Sequence, residues 1–369
     1  MEQMVSDFTA ELQRAKAGES SSLKYLSSYL GQPTGTEKGD YLALDFGGTK
    51  LRIVLFRLLG NGLYLKLKEN SFLLKTAQYD YTVGRGEELF NFLAVKIKEF
   101  LPDNKNYFLG HTFSFPFLSL DSGDGTLLKW TKEFKVEGVV GQKVNELLNE
   151  ALLAAGVKNV KAAALLNDTV AVLLAGSYVF KNCLIGSVIG TGFNCCCFSD
   201  GEAINLECGN FNLVEQDKYD RLLDENSQDP GQQIMEKMIS GYYLGERARL
   251  LWQDACPKEA PETPFSFSAA DLSAVLTRQK SGCLQEICRR VLERSADLAA
   301  VCYQGILDYL DPPEEVSVLV DGSVFLKAPG YKQRLKYNLA GRAQFYSLAD
   351  SSALGAAIGA SLVQKRAEK

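Results

Sequence analysis

The chain carries a single histidine, His111, and that scarcity removes two common chemistries. A histidine-based triad and a histidine-rich metal site both lack their material, so His111 is expected to be a satisfied or surface side chain. Also missing is any uncharged apolar run of the roughly 18 residues a membrane span requires. Asp168 and Asp350 interrupt the longest candidates, so no membrane partner is expected. The N-terminus, Met1-Glu-Gln-Met4, lacks the basic start and apolar stretch of a secretory signal. Positive charge is not in excess either, because 40 basic and 45 acidic residues are mixed along the chain and give a formal net charge of -5. Such a surface has no field to collect nucleic acid. Two nucleotide signatures are absent: there is no Gly-Lys dipeptide for a P-loop and no His-Arg-Asp of a protein kinase.

What is present suits a globular enzyme. With 369 residues and 46% hydrophobic content, the chain is long enough for one large or two ordinary domains, each with its own core. Nine cysteines occur, and Cys195, Cys196 and Cys197 stand in succession inside an apolar run. This reads as reduced thiols in a cytoplasm, and a strand that alternates faces cannot turn all three toward one zinc ion.

The apolar spacing of Val5, Phe8, Leu12, Leu23, Leu26 and Leu30, broken by Gly18 and a serine cluster, predicts a helical arm over 5–30. A hairpin follows, in which strand 41–46 runs into Gly47-Gly48-Thr49-Lys50 and returns as strand 51–56. The pattern recurs at 184–198 around Gly190-Thr191-Gly192, which suggests a duplicated α/β unit. Helices are predicted at 86–101, 141–155, 230–252, 281–310 and 351–366, alternating with strands near Tyr107, Ala163 and Val316. The stripe Ile234, Met238, Tyr242 and 244–252 is expected to pack a core, and Asp229 with Pro230 to start the helix that carries Glu236. The class is α/β.

Glycine bends of this kind suit phosphate, since a chain without side chains approaches an anion closely with several N–H groups pointing at it. Alone, Gly-Gly-Thr is equally a tight turn. Asp45 immediately before the first bend alters that balance, because a carboxylate among phosphates needs a cation between them. Asp45 therefore reads as a Mg2+ partner through water.

At this point the motifs carry a resemblance. Leu42-Ala-Leu-Asp-Phe-Gly-Gly-Thr-Lys-Leu-Arg52, Thr112-Phe-Ser-Phe-Pro116 with Trp130-Thr-Lys132, and Leu166-Asn-Asp-Thr169 occur in that order. They are followed by Gly190-Thr-Gly-Phe-Asn194, Asn205-Leu-Glu-Cys-Gly209, the segment 229–246 and Val320-Asp-Gly-Ser323. Together they resemble the eukaryotic-type hexokinase and glucokinase family over about three quarters of the chain. The resemblance implies the actin-like ATPase clamp with ribonuclease-H-like cores. It further implies a small domain of residues 40–167 plus 351–369, a large domain of 168–350 plus an N-terminal arm 1–39, and a cleft between them.

It also implies roles. Asp168 matches the general base for the 6-hydroxyl of a hexose, although an Asp in that place also suits a helix N-cap. Lys132 matches the lysine near the sugar and the moving phosphoryl group. Ser114, Thr131, Asn167 and Asn194 match ring-hydroxyl contacts, and Glu207 and Glu236 match acceptors for sugar hydroxyls. Asp45, Gly47, Gly48, Thr49, Lys50 and Arg52 match the first phosphate segment, Gly190, Thr191 and Gly192 the second, and Gly322, Ser323 and Ser352 the adenosine side. ATP and Mg2+ are the implied cofactors, a hexose the partner, and a monomer or homodimer the state. Lys50 stands where the family carries Asn, and Phe193 where it carries a small hydroxyl residue. The chain is also shorter than the family's usual catalytic unit between Glu236 and Asp321. Two alternatives stay open: a sugar sensor without turnover, and a kinase with another hexose or phosphoryl donor.

Overall fold

A computed structural model describes residues 1–131, 134–278 and 282–368. Two compact units pack separately. The first holds Met1–Tyr25, Ser187–Cys197 and Leu206–Leu348; the second holds Leu26–Gly186, Phe198–Asn205 and Ala349–Lys369. The unit that contains 40–167 thus also takes in 26–39 and the helix Asp168–Val179.

In the second unit a five-stranded sheet has the order Val160–Leu166, Tyr107–Phe113, Lys38–Phe46, Lys50–Gly60, Leu63–Leu73. Its first three strands are parallel, and the last two return antiparallel as the predicted hairpin and one further strand. Tyr41, Leu42, Ala43 and Leu44 are all buried, as a central strand covered on both faces requires. On one face Leu42, Leu44 and Phe46 join the core built by helices Gly86–Phe100 and Val144–Ala154. On the other lies the C-terminal helix Ser351–Ala367, at backbone contact. A Cβ on Gly110 would stand 1.8 Å from Ala356 O, and one on Gly355 would stand 1.8 Å from Ala171 O. These two glycines let the C-terminal helix lie flush on both the sheet and the Asp168–Val179 helix.

In the first unit the second hairpin lies beside Val316–Asp321, which pairs in parallel with Ala343–Tyr346. The long helix Cys283–Leu310 carries the N-terminal helix Glu2–Lys16, with Phe8 seated against Gly305. Cys195, Cys196 and Cys197 are fully buried there.

Three expectations need correction. The arm over 5–30 is helical only to Lys16, and Leu26–Gly31 is a strand paired antiparallel with Glu202–Asn205. Gly18, at φ +74, follows the helix, and Ser21 and Ser22 bind the buried Glu11 carboxylate instead of continuing the turn. Next, the helix over 230–252 is two helices, Ile234–Ile239 and Gly241–Ala255, divided at an extended Ser240. The break lets Gly241 N donate to Gly190 O at 2.8 Å, an approach too close for any side chain on Gly241. Finally, Asp229 and Pro230 do not start a helix. Lys237 Nζ reaches back to Asp229 O and Asp224 Oδ1, fixing 229–232 as a turn, and Gln233 at φ 51 is the cap. Ile234 and Met238 are buried as expected, whereas Tyr242, beyond the break, is exposed.

Candidate active site

Register explains why three distant motifs meet in the second unit. Asp45 is paired with Thr112, and Thr112 with Leu166, so the three occupy one row across the parallel strands. Two residues beyond that row the strands release Gly47, Ser114 and Asp168 at the same carboxyl edge. Open α/β sheets bind ligands at this edge.

Asp168 is the first residue of the Asp168–Val179 helix, and Asn167 is its N-cap, accepting from Thr169 N at 2.9 Å. The capping role considered for Asp168 thus falls to its neighbour. Asp168 is half-buried, and its Oδ1 accepts from Thr169 N at 2.8 Å. The helix cannot drift: Gly355 and Gly186 meet Ala171 and Leu173 at distances that exclude a side chain.

Asp45 is committed to an ion pair that the sequence reading did not foresee. Arg52, opposite it in the hairpin, donates from Nε and Nη2 to Asp45 Oδ2 at 3.1 and 2.8 Å. The third arm of the guanidinium, Nη1, reaches Asp350 Oδ1 at 2.7 Å, and Lys66 Nζ holds the other Asp350 oxygen at 2.8 Å. Burial opposes charge on Arg52, but Asp45 and Asp350 outweigh it and raise its pKa. Burial likewise opposes charge on Asp350, yet Lys66 and Arg52 hold its carboxyl below the ordinary range. Arg52 therefore ties the first bend to the start of the C-terminal helix, where Ser352 O accepts from Thr112 Oγ1 at 3.2 Å. The symmetry of Asp45 and Arg52 about the bend was a signal available in the sequence. Asp350 and Lys66, 284 residues apart in sequence, gave none.

Gly47, Gly48, Thr49 and Lys50 form the bend itself, closed by Gly47 N on Lys50 O at 3.1 Å, with Thr49 and Lys50 exposed. Ser114 and Thr131 flank an aromatic cluster in which Phe46 stacks on Phe113 at 5.7 Å and Trp130 meets Phe115 edge-on at 4.8 Å. Such pairs contribute about 0.5–1.5 kcal/mol each beyond area burial. This cluster ties the 112–131 segment to the strand that carries Asp45. Lys132 lies outside the described residues.

The other predicted residues group in the first unit. Asn194 Oδ1 accepts from Cys195 N at 2.7 Å and Cys208 N at 3.1 Å, and its Nδ2 faces Glu207 Oε1 at 3.5 Å. Glu207 has φ 49, a left-handed conformation that costs a non-glycine residue energy and often marks a functional position. Glu236 Oε2 accepts from Phe193 N at 2.9 Å, and a Cβ on Gly192 would stand 2.7 Å from the same oxygen. Gly47, Gly190 and Gly192 avoid the left-handed region, and a side chain at 192 would push the end of the Glu236 side chain from its place. Gly190 lies against Gly322, whose φ of +106 and crowding by Ile189 leave room for no other residue type, and Thr191 is exposed. Ser323, also exposed, begins the short helix Ser323–Lys327.

His111 is buried, as its satisfied reading expects on one side only. Its Nδ1 meets Asn145 Oδ1 at 3.2 Å, while Nε2 and Asn145 Nδ2 have no partner. Burial outweighs the Asn145 contact and pulls its pKa down to about 4. Among the described residues no group of three or more His, Cys, Asp or Glu could hold a metal ion, and no helix is long and apolar enough to cross a membrane.

This architecture is that of sugar kinases with the actin-like, ribonuclease-H-like fold. The chain aligns with a protein described as the ROK hexokinase of Thermus thermophilus at TM-score 0.59 and 18% identity, a likeness of fold, over 89% of this chain and all of the other. Sequence-level relatives narrow the class. Two family models, both described as Hexokinase, match residues 1–178 and residues 184–281 and 266–362. A hexokinase of Kluyveromyces lactis is 30% identical over 99% of this chain and 89% of its own length, and hexokinase-1 of Schizosaccharomyces pombe is 31% identical over 83% and 74%. A solved structure described as hexokinase aligns at TM-score 0.86 with 30% identity, covering 98% of this chain and 95% of that one. A Schistosoma mansoni hexokinase complexed with glucose aligns at 0.78 with 28% identity, covering 97% and 94%. The chain belongs to the hexokinase family and is a hexose kinase.

Proposed function

We propose that the chain transfers the γ-phosphoryl group of MgATP to the 6-hydroxyl of glucose, with Asp168 as general base. The observation that carries this reading is the register row Asp45–Thr112–Leu166, which delivers the first glycine bend, Ser114 and Asp168 to one sheet edge. The glucose complex of the Schistosoma mansoni relative supports the choice of sugar.

Phosphoryl transfer asks a protein mainly for positioning and charge. Asn194, Glu207 and Glu236, with Ser114, Thr131 and Asn167, hold the sugar's hydroxyls. A site whose carboxylates accept from particular hydroxyls rejects analogues that lack them. Asp168 takes the proton of the 6-hydroxyl as its oxygen attacks. Lys132 supplies positive charge beside the transferring group. Gly47 to Thr49 and Gly190 to Gly192 present the backbone to the phosphates, Lys50 and Arg52 add charge, and Gly322, Ser323 and Ser352 serve the adenosine side. One carboxylate at a glycine bend suits Mg2+, which is usually shared between a carboxylate, water and substrate phosphates. Asp45, with Oδ2 engaged by Arg52, would hold it through water, and the ion would neutralise phosphate charge. We retain 40–167 plus 351–369 as the small domain and 168–350 plus 1–39 as the large one.

A panel of hexoses and phosphoryl donors in a coupled assay, with the phosphorylated hydroxyl located by NMR, tests the reading. Glucose with ATP giving the 6-phosphate is expected. Preference for another hexose, hydroxyl or donor would replace that part of the proposal.

A further inference from the structure

We propose that Lys237 is a positioning residue for the sugar site: its buried ammonium, held by Asp224 and the Asp229 carbonyl, fixes the helix that presents the Glu236 carboxylate to a sugar hydroxyl. The proposal rests on the reading of Glu236 as a hydroxyl acceptor given above.

Glu236 stands on a support that does not hold itself. Its helix, Ile234–Ile239, has six residues and no side-chain cap; it starts from Gln233 at φ 51 and stops at an extended Ser240. Helices this short are marginal in water without tertiary anchors. The carboxylate nevertheless has narrow tolerances. Its Oε2 accepts from Phe193 N at 2.9 Å, and a Cβ on Gly209 would stand 3.0 Å from Glu236 Cβ. A small rotation or slide of the helix would break the first contact and close the second.

Lys237, the next residue, supplies the anchor. Its buried Nζ donates to Asp224 Oδ1 at 2.5 Å and to Asp229 O at 2.6 Å. Asp224 also accepts from Gly231 N, at 3.1 Å on Oδ1 and 2.9 Å on Oδ2, so one carboxylate grips both the 229–232 turn and the helix after it. Asp224 in turn rides on the helix Lys218–Glu225, which the buried Asp220 bonds to Arg247 and Arg294. A buried charge with one carboxylate partner tolerates little displacement, because separation leaves both unmatched in a poorly solvated place.

The anchor acts against a local preference. Asp followed by Pro is a favoured way to start a helix, and a helix begun at Asp229 would carry Gln233 and Glu236 to another angle. In a helix Asp229 O would accept from Gln233 N; here it accepts from Gln232 N in a turn and from the Lys237 ammonium. Lys237 thus decides where the helix starts, and so where Glu236 points.

The test measures equilibrium binding of glucose and its monodeoxy analogues by calorimetry in the native chain, Glu236→Ala and Lys237→Met. The analogue whose affinity Glu236→Ala changes least lacks the hydroxyl that Glu236 accepts from. Lys237→Met should raise the glucose Kd by roughly tenfold, within the range for a hydrogen bond to a charged group, and that analogue's Kd by less than about twofold. An unchanged glucose Kd in Lys237→Met, or an equal loss for both ligands as from general loosening, would overturn the proposal while leaving the Glu236 reading intact. An unchanged glucose Kd in Glu236→Ala would remove that reading and the proposal with it. Should Lys237→Met not fold, Asp224→Asn, which keeps an oxygen for Gly231 N, carries the same contrast, with about a threefold loss expected for glucose and the same outcomes against it.

Discussion

The two glycine bends are similar in outline and are held by different forces. At the first, charge does the work: Arg52 bridges Asp45 within the hairpin and Asp350 at the start of the C-terminal helix. At the second, the backbone is held by close approach: Gly192 crowds the Glu236 carboxylate, which accepts from Phe193 N, and Gly190 abuts Gly322. A charge-held bend keeps polar groups ready for phosphate and proton chemistry. A bend held by close packing keeps a carboxylate in place without exposing new charge. The difference separates the proposed base Asp168, on the first hairpin's unit, from the proposed carboxylate acceptors Glu207 and Glu236 on the second's, with sugar and phosphate contacts proposed on each.

The largest expected effect falls on the first side. Asp168→Ala should lower kcat by roughly 10²- to 10⁴-fold, the usual range for a positioned base, with the sugar KM changed less. Steady-state kinetics separate the two parameters, and an unaltered kcat would move the base elsewhere.

Next comes a stability effect confined to that same unit. His111 stays neutral in the fold with a pKa near 4, while the unfolded chain protonates it near 6.5. The unfolded state therefore binds the extra proton as pH falls, and stability should drop between about 6.5 and 4 by on the order of 3 kcal/mol and level off below. Urea midpoints across that window should decline in the native chain. They should decline less in His111→Gln; parallel slopes would refute the assignment.

A smaller effect should appear at the second bend. Gly192→Ala places a Cβ against Glu236 Oε2, so the carboxylate must shift from its contact with Phe193 N. The account expects a raised sugar KM with kcat better preserved. A fall in kcat alone would erase the proposed division between the bends. Smallest of all, Lys50→Asn at the exposed edge of the first bend should shift the nucleotide KM by only about threefold, as exposed charges contribute little. A loss as large as that of Asp168→Ala would make Lys50 part of the chemistry.

Much of this was legible in the sequence. Both hairpins, the helices near 86–101, 281–310 and 351–366, and the strands near Tyr107, Ala163 and Val316 follow from local periodicity, which needs no tertiary information. The collinear motifs from Leu42 to Ser323 pointed to the family. What escaped depends on partners distant in sequence. Leu26–Gly31 pairs with Glu202–Asn205, Lys237 pulls 229–232 out of helix, and Gly190 O breaks the helix at Ser240. The Arg52 network was hidden for the same reason, since Asp350 meets it only after the C-terminal helix docks on Gly110 and Gly355.

The central claim is that phosphoryl transfer waits for a sugar hydroxyl to complete the site. Nucleotide consumption by the purified chain in MgATP, followed with and without saturating glucose, tests it most directly. The account predicts consumption that depends on glucose and matches glucose 6-phosphate formed. Equal consumption in both conditions would contradict it.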